Sequence, residues 1–212
     1  MNILITAGPT REHLDPVRFL SNRSTGKMGF ATAQAAAGRG HSVTLIAGPV
    51  SLPTPQGVTR IDVVSARDML AAVERALSHC DALVMSAAVA DWRPEQVSDT
   101  KLKKKEMTST LRLVPNPDIL KTIAPLKGHR IFVGFAAETG DPSAEAQRKL
   151  TAKGLDLIVA NDVTVSGAGF AVDTNVVTLL SQNAPPHVLP LLPKQEVGRI
   201  IVQWIEQHKA GR

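Results

Sequence analysis

Residues 21–30, SNRSTGKMGF, put Ser21, Asn22, Ser24, Thr25, Gly26 and Gly29 in the lead-in to a helix, downstream of an N-terminal strand that runs into ITAGPTRE at residues 5–12. Small, hydroxylated and glycine residues between an apolar strand and a helix expose backbone N–H groups at a positive helix end, which is a way to hold phosphate. Gly8, Thr10, Asn22, Ser24 and Gly26 are therefore candidates for a phosphate cradle, and the same residues would also serve as turn and cap. Lys27 invites comparison with the GxxxxGK[ST] nucleotide loop. That motif is excluded, because Met28 stands where a hydroxyl would hold magnesium and the first glycine is missing at the required spacing.

A second cluster is the run Lys101, Lys103, Lys104 and Lys105. Charge runs are commonly solvated loop surface. This one follows the strand end Ser86, Ala87, Ala88, Val89, Ala90, Asp91, which should open into the crevice where α/β folds bind ligands. A lysine on a flexible lid there could neutralise a polyphosphate in a transition state. Asp91 at the same strand end suits either a magnesium ion or ligand hydroxyl, or a helix cap or surface ion pair. The chain has no Tyr, so the Tyr and Lys pair of short-chain dehydrogenases is excluded. There is no G-x-S-x-G elbow, and the six histidines are scattered without metal-ligand spacing.

Short β-branched runs at 3–7, 43–47, 59–64, 82–87, 131–135 and 155–160 alternate with helical patterns at 28–38, 66–78, 117–123 and 143–153. Such alternation predicts a mostly parallel sheet with helices on both faces, an α/β Rossmann-like fold. Ser65 with Asp68 signals a helix start, and Gly40 and Gly154 signal helix ends. Residues 90–108 are too polar and long for an ordinary link and read as a mobile loop or lid. After Asn161, residues 175–181 read as an added strand that 187–192 can pair with, a small C-terminal β extension. Residues 194–208 then form an amphipathic helix.

At 212 residues with no break in composition, residues 1–212 are expected to form one domain with a sizeable core. The charge of +5 suits an anionic partner, but aromatics make up only 3% of the chain, too few for base-stacking platforms, so nucleic acid is not expected. No apolar run is long enough to cross a bilayer and no leader pattern opens the chain, so a cytoplasmic protein without membrane attachment is expected. Cys80, the lone cysteine, excludes an internal disulfide and reads as a packing residue. A plain dinucleotide-binding reading is weakened twice. The glycines arrive late, behind PTREHLDPVRFLSNRS, and the second strand ends in AGPVSLP without a ribose-binding carboxylate.

Taken in order and spacing, ITAGPTRE, LDPVRFLSNRSTGKMGF, VTLIAGPVSLPTP, SAAVADWRP, KLKKK, NPDIL, VGFAAET, LDLIVANDV and the set Gly169, Phe170, Asp173, Asn175 closely resemble the phosphopantothenoylcysteine synthetase domain of bacterial coenzyme A biosynthesis. The resemblance runs nearly end to end. That domain is usually the C-terminal half of a bifunctional synthetase/decarboxylase. The resemblance implies a phosphopantothenate–cysteine ligase that activates 4′-phosphopantothenate with CTP to an acyl-cytidylate, releasing pyrophosphate, and then couples it to cysteine, releasing CMP. By similarity, Asn22, Arg18 and the Ala88 backbone orient the acyl-cytidylate. Lys101 serves catalysis and the nucleotide, together with the Gly26 loop (Gly8, Ser24, Gly26). CTP is expected to meet Met85, Ser86, Ala87, Asp91, Pro117, Asp118, Ile119, Leu120, Phe135, Lys149 and Lys153, with Mg2+ at Asp91. Lys149 and Lys153, four apart, share a helical face.

The same resemblance implies a homodimer, with the added strand after Asn161 as a candidate dimer element, and a flavin-dependent decarboxylase domain fused to or associated with this one in a full-length protein. No flavin is expected in this chain itself. Trp92 departs from the Tyr that close relatives carry after AAVAD. Two other classes stay in view: an NAD(P)-dependent oxidoreductase, which would lack a proton donor and a ribose carboxylate, and a non-catalytic nucleotide-binding module, which would leave the lysine run and Asn22 without a role.

Overall fold

Strand β1 (Asn2–Ala7) sends Ile3, Ile5 and Ala7 into one apolar layer and Leu4 into the other. A strand buried on both faces belongs at the centre of a parallel sheet covered by helices. The computed structural model describes residues 1–105, 110–138, 143–162, 164–165, 167–182 and 184–210. After β1 come β2 (Arg11–His13), β3 (Phe19–Ser21), α1 (Lys27–Gly38), β4 (Ser42–Ala47), β5 (Val58–Asp62), α2 (Ala66–Leu77), β6 (Ala82–Met85) and β7 (Trp92–Pro94). The second half holds β8 (Leu113–Pro115), α3 (Ile119–Ile123), a 3₁₀ turn (Ala124–Leu126), β9 (Ile131–Glu138), α4 (Ser143–Ala152), β10 (Leu157–Asp162), β11 (Thr174–Asn175), β12 (Val177–Ser181), β13 (Ala184–Val188), β14 (Leu192–Pro193) and α5 (Lys194–Ala210).

The main sheet runs β13-β12-β10-β9-β6-β1-β4-β5. The six strands from β10 to β5 are parallel, with Ile5 in register with Leu45 on one side and Val84 on the other. β12 and β13 add the antiparallel C-terminal extension. The fold is the expected α/β, Rossmann-like one. Strand order reverses between β1 and β6, and the carboxyl ends of those two strands frame the crevice where such folds take ligands.

Helices α1 and α5 cover one face of the sheet, where Phe30, Ala33, Val197, Ile201 and Ile205 pack with Ile3, Ile5 and Val84. Gly198 lets the two helices approach closely: a Cβ there would lie 3.0 Å from the Ala31 carbonyl and the Thr32 Cα. Helices α2, α3 and α4 cover the other face through Met69, Val73, Ile119, Ile123 and Leu150, with Cys80 buried among them. Ser65 and Asp68 form the expected capping box on α2. Gly40 and Gly154 take the left-handed conformation just past α1 and α4. Among the described residues no helix is long and apolar enough to cross a membrane.

Three features differ from expectation. The segment expected as one loop from residue 90 contains β7, paired antiparallel with β8 through Trp92–Pro115 and Pro94–Leu113. A second small hairpin, β2–β3, precedes α1. Strands of three residues are too short to show a period of two. The stretch 106–108 of the expected lid lies outside the described residues. Helix α3 starts two residues later than expected because Asp118 caps it, its side chain accepting from the Lys121 N–H at 3.1 Å.

Candidate active site

A cavity of about 520 Å³ opens at the carboxyl ends of β1, β6 and β9. Its floor is residues 85–91, and the sequence explains why this segment is rigid. Thr6 accepts the Ser86 hydroxyl on its carbonyl (2.7 Å) and the Ala87 N–H on Oγ1 (3.2 Å), and Thr10 Oγ1 accepts the Ala90 N–H (2.9 Å). The Ala88 N–H donates to the Gly8 carbonyl at 2.9 Å. Both threonines are fully buried, so their hydroxyls stitch the strand ends without competition from water.

One wall is the N-terminus of α1. Gly26 is its N-cap, in the left-handed conformation (φ 79°), with no side-chain cap hydrogen bond, so the first-turn N–H groups at Lys27, Met28 and Gly29 face the cavity they line. Gly8 is not on the cavity surface. It lies directly under Gly26, where a Cβ on Gly26 would come within 3.4 Å of the Gly8 Cα, so its role is close backbone approach. Gly29 is closer still: a Cβ would fall 2.5 Å from the Ala7 Cβ and 2.6 Å from the Ser86 Oγ.

Asn22 enters beside this wall and donates from Nδ2 to the Ala88 carbonyl at 2.9 Å. That acceptor fixes which end of the amide carries the NH₂, and leaves its second N–H for a ligand oxygen. Asn116, which sequence reasoning missed between two prolines, reaches the same floor from the other side, its Nδ2 donating to the Ala90 carbonyl at 2.8 Å. The opposite wall holds Pro117, Asp118, Ile119, Leu120 and Phe135 with Lys149 and Lys153.

The expected residues Asn22, Ser24, Gly26, Met85, Ser86, Ala87, Ala88, Asp91, Pro117, Asp118, Ile119, Leu120, Phe135, Lys149 and Lys153 thus line one cavity. Arg18 and Lys101 do not. Arg18 forks onto Asp15 and also donates to the Leu102 carbonyl at 2.9 Å, while Lys101 is exposed. The two lysines of the far wall are not free cations: Lys149 pairs with Glu138 at 2.6 Å and Lys153 with Asp118 at 3.1 Å. Nor are all the α3 N–H groups open, since Asp118 takes that of Lys121. Among the described residues no cluster of three or more His, Cys, Asp or Glu could hold a metal ion. Asp91 is a single exposed carboxylate at the cavity edge.

Residues 169–173, ahead of β11, close the α1 end. Thr25 Oγ1 donates to the Phe170 carbonyl (2.7 Å), and Lys27 Nζ donates to the Ala171 carbonyl (2.9 Å) and to Asp173 (2.7 Å). The Lys27 ammonium is thus a latch on this loop. Beneath it Lys194, only 4% exposed, donates to the carbonyls of Gly169 (2.8 Å), Phe170 (3.3 Å) and Val172 (2.5 Å). Burial pushes the Lys194 ammonium below its ordinary value, with Lys27 adding to the shift and Asp173 opposing it. Lys194 gave no signal in the sequence because it opens an amphipathic helix, where a lysine reads as solvated. The Asp15 carboxyl is held well below the usual carboxylate range by the Arg18 guanidinium, assisted by the N–H groups of Val17, Arg18 and Leu102 against the opposing effect of burial.

Residues 1–208 match the family described as the DNA/pantothenate metabolism flavoprotein C-terminal domain. The coenzyme A biosynthesis bifunctional protein CoaBC of Bacillus subtilis (strain 168) is 50% identical over 205 residues, 96% of this chain and 50% of that protein. CoaBC of Escherichia coli (strain K12) is 49% identical over 209 residues, 97% of this chain and 51% of that protein. The chain therefore spans about half the length of these relatives. The crystal structure of the C-terminal domain of a CoaBC superposes with a TM-score of 0.86 at 41% identity, covering 100% of this chain and 96% of that one. A Cab2 mutant in complex with phosphopantothenate-cysteine shares the fold, with a TM-score of 0.81 at 16% identity, covering 99% of this chain and 86% of that one. With the family matched over residues 1–208 and relatives near 50% identity across almost the whole chain, this protein belongs to the DNA/pantothenate metabolism flavoprotein C-terminal domain family, the family of the C-terminal half of CoaBC.

Proposed function

We propose that the chain is a CTP-dependent phosphopantothenate–cysteine ligase of coenzyme A biosynthesis. The observation that carries this reading is one cavity in which the Asn22 amide, set by the Ala88 carbonyl, stands between the α1 N-terminus and the Pro117 to Leu120 turn. Two phosphorylated substrates need two anion-tolerant ends, and an acyl group between them needs a fixed amide donor. In the first half-reaction the carboxylate oxygen of 4′-phosphopantothenate attacks the α-phosphorus of CTP, and pyrophosphate leaves with the electron pair of the broken P–O bond. In the second the cysteine amine attacks the acyl carbon, loses a proton, and expels CMP to leave an amide.

The residues divide between these tasks. The first-turn N–H groups of α1 hold a phosphate group, and the second Asn22 N–H donates to the acyl oxygen as charge develops. The Pro117 to Leu120 turn and Phe135 receive the nucleotide. Lys149 and Lys153 exchange their carboxylate partners for phosphate oxygens when it binds. Asp91 fits Mg2+ of the kind bound through one carboxylate and substrate phosphates, and would hold it. The ion supplies neutralisation of phosphate charge. Arg18 and Lys101 complete the site when the two stretches that carry them, joined at Leu102, are brought over the cavity.

A homodimer and an associated flavin-dependent decarboxylase domain belong to the same reading. The dimer element expected after Asn161 is a poor template, because edge strand β13 carries Pro185 and Pro186, which lack N–H donors. The two hairpins, which pack beside each other through β2 and β7, expose Phe19, Trp92 and Leu113 and offer the better face.

Pyrophosphate release with 4′-phosphopantothenate and magnesium, measured with CTP and with ATP before cysteine is added, tests the proposal. CTP-dependent release followed by cysteine-dependent CMP formation is expected. Binding of CTP without pyrophosphate release would leave a nucleotide-binding module.

A further inference from the structure

Asp15 lies outside the cavity and is 1% exposed, yet it bonds to Arg18 and to the neighbour of Lys101, Arg18 and Lys101 being two of the site residues that the cavity leaves out. Its Oδ1 accepts the N–H groups of Val17 and Arg18, both at 2.8 Å. Its Oδ2 accepts Arg18 Nε at 3.0 Å, Arg18 Nη2, and the Leu102 N–H at 3.2 Å. The same Nη2 donates to the Leu102 carbonyl at 2.9 Å, and the Ser98 N–H donates to the Leu14 carbonyl at 2.9 Å. Both backbone groups of Leu102 are thus held by one carboxylate–guanidinium pair, and Lys101 is the residue immediately before it.

We propose that Asp15 is a positioning residue that couples Arg18 and Lys101 into one unit, so that the lysine segment is presented only when Arg18 is in place. This rests on the assignment of Arg18 and Lys101 to the ligase reaction given above. The physical argument is about donors. Ionised Asp15 is an acceptor at both oxygens, which suits a fork of two guanidinium N–H groups and three backbone N–H groups. An amide of the same shape presents an NH₂ to at least one of those donors. A donor facing a donor breaks the bridge without changing side-chain volume, so Asp15→Asn should free residues 98–102 while keeping every side chain of the two apolar layers.

The experiment compares Asp15→Asn, Lys101→Gln and the double variant, each in the full chain. Pyrophosphate release by Asp15→Asn should fall roughly 10- to 100-fold in kcat, the size of effect expected when a charged group is displaced by about 1 Å. In the Lys101→Gln background Asp15→Asn should cost less than it does in the wild type, because one of the two groups it positions is already gone. Brief tryptic digestion gives a readout independent of turnover. The exposed run Lys101, Lys103, Lys104 and Lys105 should be cut faster in Asp15→Asn than in the wild type, and Arg18→Lys, which keeps the charge but loses the fork, should behave likewise. Costs that multiply in the double variant, or cleavage unchanged by both substitutions, would overturn the proposal. If the wild type releases no pyrophosphate, the ligase reading fails, and the digestion alone decides whether Asp15 holds the segment.

Discussion

At the scale of single residues, Asn22 carries the most chemistry in the proposed reaction. Its amide is oriented by the Ala88 carbonyl at 2.9 Å, so replacing it with a carboxylate both repels that carbonyl and removes the donor to a developing oxyanion. Asn22→Asp should therefore keep CTP-dependent pyrophosphate release but slow amide formation, by roughly 10²- to 10³-fold if it behaves like a lost oxyanion donor. Normal coupling to cysteine by the variant, followed as CMP release in a single turnover, would remove Asn22 from that step. The resemblance named Asn22 and the Ala88 backbone as neighbours of one acyl group, but the hydrogen bond between them came only with the fold. The state of Lys149 and Lys153 was not legible in the sequence either. Their spacing shows a shared face, but their partners Glu138 and Asp118 come from β9 and the α3 cap, and only the fold brings those carboxylates within reach.

Elements place these residues through close approach rather than through side-chain size. Gly29→Ala gains up to about 1 kcal/mol of helix propensity. Against that, its methyl meets the Ala7 Cβ at 2.5 Å and the Thr6 carbonyl at 3.0 Å, neither of which can swing away. Overpacking of this kind costs about 1–3 kcal/mol, so the clash wins and the variant should unfold at lower denaturant, with weaker pyrophosphate release because Ser86 is displaced from the Thr6 carbonyl. A midpoint at or above that of the wild type would show that α1 can lift off β1 freely. The loop over α1 depends in the same way on Lys194. Lys194→Met strands three carbonyls that now share one ammonium, at a cost of about 2 kcal/mol, and should lower Tm by roughly 4–8 °C. It should also raise KM for phosphopantothenate more than it lowers kcat, because it releases the latches at Phe170 and Asp173. An unchanged KM would confine Lys194 to stability. The helix and strand alternation that places α1 and the sheet was readable from hydrophobic pattern. The hairpins β2–β3 and β7–β8 were not, since three-residue strands owe their pairing to neighbours distant in sequence.

Across the whole molecule the sheet divides the chain into two apolar layers, with all the proposed chemistry at one end of the sheet and Cys80 in the layer of α2, α3 and α4. Sequence composition was enough to mark Cys80 as a packing residue, because one cysteine closing a helix has no thiol partner and no metal-ligand company. The fold supplies the physical reason. The thiol is 7% exposed, and burial pushes it up to about 11, so at neutral pH there is almost no thiolate to react. Reaction needs both exposure and return of the thiol to its ordinary range of about 8.5, and both arrive together only if the α2 layer comes away from the sheet. In native buffer at pH 7 a thiol reagent should label Cys80 very slowly. Across a denaturation series the labelled fraction should follow loss of helix signal, because both layers pack on one shared sheet and should unfold together. Labelling that precedes the loss of helix while pyrophosphate release persists would instead show the α2 layer opening on its own, leaving the β1 and β6 strand ends and the α1 wall standing.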